Sequence, residues 1–267
     1  MSDAGMTTNA TMAVFLDLEN LVLGARDANF PRFDIKLVFE RLLARGHIVT
    51  KKAYCDFDRY KDYKRDLHEA AFELIEIPHV RQSGKNSADI RMVVDALDLC
   101  YTKTHIDTFV ILSGDSDFSP LVSKLRENGK TVIGVGVKNS SSDLFIENCD
   151  VFFYYDDFVR RVSKPRVAKP VPKTPAAKAQ EGPTKEQAFE QLLATIEVLM
   201  EERDEDDRIY GSMIKPAMKR RNPGFSERAH GFPTFNDLLK AAKDAGLIEL
   251  ETDGKSRNFS VRLARPA

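Results

Sequence analysis

The sequence predicts an α/β protein: an open parallel sheet flanked by helices, then a linker, then a small winged-helix module. Three observations carry this. Short β-branched and aromatic runs alternate with helical stretches from residue 12 to about 160, an order that lays helices on both faces of a parallel sheet. Residues 161–183 repeat Pro and Lys without an apolar period. From residue 184 the pattern becomes three amphipathic helices and a hairpin signal.

Strands are expected at 12–16, 48–54, 72–77, 108–112, 131–137 and 151–154, where apolar residues run together as they do in strands buried on both faces. Helices are expected between them at 34–45, 59–70, 87–101, 119–128 and 142–147. Asn128-Gly129 reads as a helix C-terminus followed by a turn. Residues 1–11 are polar and small and are expected to be disordered. The stretch 161–183 holds too little apolar surface for a core, so it reads as an extended basic linker between independent halves. Beyond it, Thr184 with Gln187 forms a capping-box pattern, and Leu192, Leu193, Ile196, Leu199 and Met200 make a helical stripe. A second helix is expected from about Ser212 to Arg221, and a third between Thr234 and Gly246. Strands at 247–251 and 258–263 flank Asp253-Gly254, a hairpin turn.

These boundaries divide the chain into 1–11 (N-terminal segment), 12–160 (first domain), 161–183 (linker) and 184–267 (second domain). No apolar run approaches the roughly 20 residues that cross a bilayer, and the N-terminus has no signal-peptide pattern. Cys55, Cys100 and Cys149 are isolated and odd in number. They read as buried thiols rather than a disulfide or zinc framework, and the cytoplasm is the expected compartment. Charge is uneven. Residues 1–160 hold 20 Lys+Arg and 25 Asp+Glu, or −5; residues 161–183 hold 6 and 1, or +5; residues 184–267 hold 14 and 15, or −1. The basic excess lies in the linker.

The informative chemistry is at strand ends. Phe109-Val110-Ile111-Leu112 runs into Ser113-Gly114-Asp115-Ser116-Asp117, and Ala13-Val14-Phe15-Leu16 runs into Asp17-Leu18-Glu19-Asn20. Ligands of open α/β sheets bind beyond the carboxyl ends of the strands. With Asp89 at the start of a helix, these residues make an acidic group. Two unit charges about 4 Å apart repel by roughly 4 kcal/mol at an effective dielectric near 20, so such a group calls for a cation. Hard oxygen ligands select Mg²⁺ or Mn²⁺. Each acid also has a local explanation. Asp17, Asp115 and Asp117 could cap or turn the chain, and Asp89 could favour a helix dipole. Asp95 and Asp98 read as a solvated helix face. The five histidines show no ligand spacing, and Gly134-Val135-Gly136 lies in a strand, so it is no dinucleotide fingerprint.

Phe15-Leu16-Asp17-Leu18-Glu19-Asn20, Lys85-Asn86-Ser87-Ala88-Asp89 and Leu112-Ser113-Gly114-Asp115-Ser116-Asp117-Phe118 together resemble the NYN domain, in the LabA-like branch of the PIN-like nucleases. The resemblance covers residues 12–158. It implies a PIN-like Rossmannoid sheet and a metal-dependent endoribonuclease. Asp17, Asp89, Asp115 and Asp117 would be the catalytic and metal-holding acids, supported by Asn20 and Ser113. Water activated by Mg²⁺ or Mn²⁺ would hydrolyse RNA phosphodiesters to a 5′-phosphate and a 3′-hydroxyl. Asn222-Pro223-Gly224-Phe225 and Gly231-Phe232-Pro233-Thr234-Phe235-Asn236-Asp237-Leu238-Leu239 resemble the OST-HTH, or LOTUS, domain, which implies RNA or a protein partner for residues 186–264. Lys215, Lys219, Arg220 and Arg221 form a basic edge suited to phosphates, or a solvated helix end. Phe225, Phe232 and Phe235 read as core more than as base-stacking platforms. Two rivals remain: a non-catalytic RNA-binding adaptor on the same fold, and a haloacid-dehalogenase-like phosphatase with Asp17-Leu18-Glu19 as nucleophile loop. The phosphatase pattern would want Asp where this chain has Glu19.

Overall fold

A computed structural model describes residues 10–77, 87–163, 184–201, 208–252 and 259–264. The chain divides into two compact units, the larger built on residues 10–42 and 46–163 and the smaller on 184–264.

In the larger unit, strands β1 (Ala10–Asp17), β2 (Gly46–Cys55), β3 (Glu73–Glu76), β4 (Thr108–Leu112), β5 (Thr131–Gly136) and β6 (Val151–Tyr154) form one sheet in the order β3-β2-β1-β4-β5-β6. Every pairing is parallel. The chain leaves β1 toward β3, then returns to β4 and continues the other way. The crevice between β1 and β4 is therefore the switch point of the sheet.

Successive residues of β1 point to opposite faces. Met12, Val14 and Leu16 pack with helices α1 (Leu18–Asp27), α2 (Ile35–Arg45), α3 (Lys64–Glu69) and α7 (Tyr155–Ser163). Ala13 and Phe15 pack with α4 (Ser87–Thr102), α5 (Ser119–Glu127) and α6 (Asp143–Asn148). Both faces are thus covered, which is why the strands read as continuous apolar runs. Gly129 follows α5 with φ +69°, the left-handed conformation that glycine adopts freely. Cys55 and Cys100 are buried, Cys149 is half-buried, and all three are free thiols.

Several expectations need correction. β1 begins at Ala10, inside the stretch expected to be disordered; residues 1–9 lie outside the described residues. Helix α1, absent from the expected elements, starts at once after Asp17. The expected helix 59–70 is shorter: a single 3₁₀ turn, Lys61–Tyr63, leads into α3. Helix α7 was also missed and runs three residues past 160. The rest of the expected linker, 164–183, lies outside the described residues, as do Lys85 and Asn86.

The smaller unit contains α8 (Lys185–Glu201), β7 (Ile209–Tyr210), α9 (Gly211–Arg221), α10 (Phe235–Asp244), β8 (Ile248–Thr252) and β9 (Phe259–Leu263). Its strands form an antiparallel sheet in the order β7-β9-β8. Thr184 and Gln187 bond reciprocally at the start of α8, and Thr234 and Asp237 do the same for α10, satisfying orphan helix donors. Leu192, Ile196, Ile214, Met218, Leu238 and Val261 fill the core. The expected Asp253-Gly254 turn lies outside the described residues.

Candidate functional site

The carboxyl edge of the large sheet is tied together at the switch point by short polar side chains. Asp17 caps α1, its Oδ1 accepting the Asn20 N–H at 3.3 Å. The Ser113 hydroxyl, 96 residues on and fully buried, donates to Asp17 Oδ2 at 3.0 Å and accepts the Asp115 N–H at 3.2 Å. The Asn20 side-chain carbonyl accepts the Gly114 N–H at 2.9 Å. Asp115 in turn caps the 3₁₀ turn Ser116–Phe118, accepting the Asp117 N–H at 2.9 Å. Gly114 is required by space: a Cβ there would stand 2.5 Å from the Ser140 carbonyl oxygen and 2.8 Å from Ser141 Cα. Its own carbonyl accepts the Ser142 N–H at 2.9 Å.

Four acids named from the sequence come together here. Burial, foremost, pushes Asp17 up to about 7, with the charges of Asp89 and Asp115 adding to it against the hydrogen bonds from Asn20 and Ser113. Asp89, on the first turn of α4, is pushed up to about 6 by burial and then by Asp115, Asp117 and Glu19. Repulsion from neighbouring acids thus adds to burial in both shifts.

The donor set fits a hard divalent cation. All donors are carboxylate oxygens, and mutual repulsion is the penalty a cation would remove. Among the described residues no group of three or more acids, histidines or cysteines stands close enough together to hold a metal ion. A Mg²⁺ ion that keeps several waters and is held by one or two carboxylates would not need such a group.

The local reading holds for two of the acids, since Asp17 and Asp115 do cap their turns. Asp95 needs correction. It is not on a solvated face but accepts the buried Tyr54 hydroxyl at 2.9 Å and pairs with Arg91 at 3.0 Å. Asp98 is exposed, as expected. Two neighbours of the acids went unassigned in the sequence. Glu19 contributes its charge to Asp89, and Arg59 pairs with Glu19 at 3.5 Å while lying 5.8 Å from the centre of the Tyr60 ring. Burial and then Glu19 push the Tyr60 phenol up to about 12. The Asp-Leu-Glu-Asn run held the signal for Glu19; nothing local marked Arg59.

In the smaller unit the expected basic edge is divided. Lys215 pairs with Glu227 at 2.7 Å, and the Arg221 guanidinium donates to Thr195 Oγ1 at 3.1 Å. Lys219 is exposed and shares a cleft of about 500 Å³ with Lys215, Ser212, Asn236 and Phe259. Arg220, next to Lys219 on α9, is half-buried rather than on an exposed edge, and burial lowers its pKa. Phe225, Phe232 and Phe235 are all buried in the core, as the sequence suggested.

A parallel α/β sheet with a switch point between β1 and β4 defines an open α/β protein, a class whose ligands bind in the crevice beyond the carboxyl ends of the strands. Within this class the chain belongs to the NYN domain family, whose model matches residues 11–156. The NYN domain belongs to the PIN-like nuclease superfamily. The chain is 31% identical over 105 residues to an uncharacterized protein of Methanocaldococcus jannaschii, a match covering 39% of this chain and 40% of that protein. It therefore spans about two fifths of that curated relative's length. The fold is similar to the crystal structure of a protein of unknown function from Vibrio parahaemolyticus, with TM-score 0.50 and 25% identity, covering 59% of this chain and 98% of that one. Among the described residues no helix is long and apolar enough to cross a membrane. NYN membership sets aside the phosphatase reading.

Proposed function

We propose that this protein is a Mg²⁺- or Mn²⁺-dependent endoribonuclease whose smaller unit is an RNA-binding winged helix of the OST-HTH type. The observation that carries the reading is the group of acids at the β1–β4 switch point of an NYN domain, with Asp17 and Asp89 both raised, chiefly by burial. Asp17, Asp89, Asp115 and Asp117 would hold the ion. When bound, it would supply the positive charge that activates water and balances the charge developing at phosphorus. Ser113 and Asn20 hold Asp17 and the 113–117 turn against each other, so the two strand ends present their carboxylates in fixed relation. The antiparallel sheet, three helices and exposed Lys219 of the smaller unit support an RNA-holding role, with a protein partner as the other role that this resemblance implies.

The test is incubation of the full chain with single-stranded and structured RNAs in Mg²⁺, Mn²⁺ or EDTA. We expect metal-dependent cutting, abolished in Asp115→Asn and in Asp117→Asn with the fold retained. Cutting that survives both substitutions refutes the site. The openness of the acid group favours one second reading, an RNA-binding adaptor on the same fold. Binding of RNA without cutting in either metal would select it.

A further inference from the structure

We propose that the groove beside the acids is a pocket for one unpaired nucleobase, that of a nucleotide adjoining the phosphate to be cut. This rests on the ribonuclease reading of the acid group.

The groove lies between α4, α5 and α6 and encloses about 760 Å³, within the range of small-molecule sites. Asp89 and Asp117 line it, so whatever fills it is continuous with the proposed cutting site. Its wall includes Ile90, Val94 and Leu144, which are 64%, 56% and 55% exposed. One exposed aliphatic residue is ordinary, but three on a single groove mark a binding surface. A buried polar atom points the same way. Ser119 lines the groove with only 7% of its surface exposed, and its Oγ has no hydrogen-bond partner among the described residues. A buried hydroxyl without a partner is unfavourable and uncommon.

The chemistry of the occupant follows from these groups. The phosphate to be cut belongs at the acids of the mouth, so the part of the strand that can enter the groove beside them is an adjoining base. A base offers flat apolar faces to Ile90, Val94 and Leu144, and ring or exocyclic nitrogen and oxygen atoms to the Ser119 hydroxyl. Aliphatic walls discriminate weakly among bases. A base held in a duplex would have its pairing edge occupied and its faces stacked.

Photo-crosslinking tests this in the full chain. A short single-stranded RNA carrying 4-thiouridine is irradiated with Ca²⁺ in place of Mg²⁺, and the crosslinked peptides are sequenced. Crosslinks should fall within 87–102 or 119–148. The double variant Val94→Ser, Leu144→Ser should lower their yield about tenfold at sub-saturating RNA, and Ser119→Ala about threefold. The substituted aliphatic residues are exposed, and an unchanged melting curve verifies the fold. Crosslinks found only elsewhere, or undiminished in the double variant, overturn the pocket. So does a wild-type dimer that the double variant dissociates, which would assign the groove to a second copy of the chain. If RNA is cut but the groove is not crosslinked, the pocket fails and the ribonuclease stands. If the groove is crosslinked without cutting under Mg²⁺ or Mn²⁺, the pocket stands and the adaptor reading gains. If neither occurs, both fail.

Discussion

Asp17→Asn removes a charge that the metal-free fold holds at a cost. The Asp17 carboxyl is raised from 3.8 to about 7, chiefly by burial. A raised carboxyl contributes stability that is complete below its unfolded value and is lost as pH rises through its folded value. The metal-free wild type should therefore lose stability between about pH 4 and pH 7. The rise from 3.8 to about 7 corresponds to at most about 4 kcal/mol. Asparagine keeps the acceptor for the Asn20 N–H but turns its NH₂ toward the Ser113 hydroxyl, which loses its acceptor, and this takes back about 1–2 kcal/mol. At pH 8 in EDTA the variant should thus be about 2–3 kcal/mol more stable, on the order of 5–10 °C in the melting of the larger unit. The advantage should shrink steadily toward pH 4. Added Mg²⁺ should raise the wild-type melting temperature and leave the variant nearly unmoved. Calorimetric scans from pH 4 to 8.5, with EDTA and with Mg²⁺, read all three effects. A variant less stable than wild type at pH 8, or a difference independent of pH, would refute the argument that burial holds the Asp17 charge at a cost.

Other substitutions probe separate links. Gly114→Ala would drive a methyl group against the Ser140 carbonyl, so it should lower stability by about 1–3 kcal/mol and abolish cutting; a wild-type melting curve would show that the turn yields. Arg59→Ala should weaken RNA binding and reduce the salt slope of log K by about 0.7, as expected for one phosphate contact on a single strand. If Glu19→Gln restores affinity to the Arg59→Ala variant, Arg59 only screens Glu19. Lys219→Ala should cost a similar slope while leaving turnover at saturating short RNA unchanged, and an unaltered slope would make Lys219 a solvated helix end.

The sequence by itself determined most of the elements and placed acids at the ends of β1 and β4. Phe109-Val110-Ile111-Leu112 reads as a doubly buried strand, and its abrupt end in Ser113-Gly114-Asp115 announced a turn. Local signals of this kind work because strand burial and helix capping depend on residues within a few positions. Helix α1 escaped for a related reason: its first turn, Leu18-Glu19-Asn20, coincides with the acidic motif, and Gly24 interrupts its apolar face. Helix α7 opens on Asp156 and Asp157, and only packing of Tyr155 and Phe158 on the sheet makes it legible as structure. Tertiary structure alone decided the strand order, since alternating strands and helices are consistent with many orders. It also decided the partnerships made across long separations. Ser113 meets Asp17 from 96 residues away, Asp95 turns inward to Tyr54, Lys215 is taken by Glu227, and Arg59 arrives beside Glu19. Composition can name a charge, but its worth depends on burial and on the charges around it, and both are set only when the chain has folded.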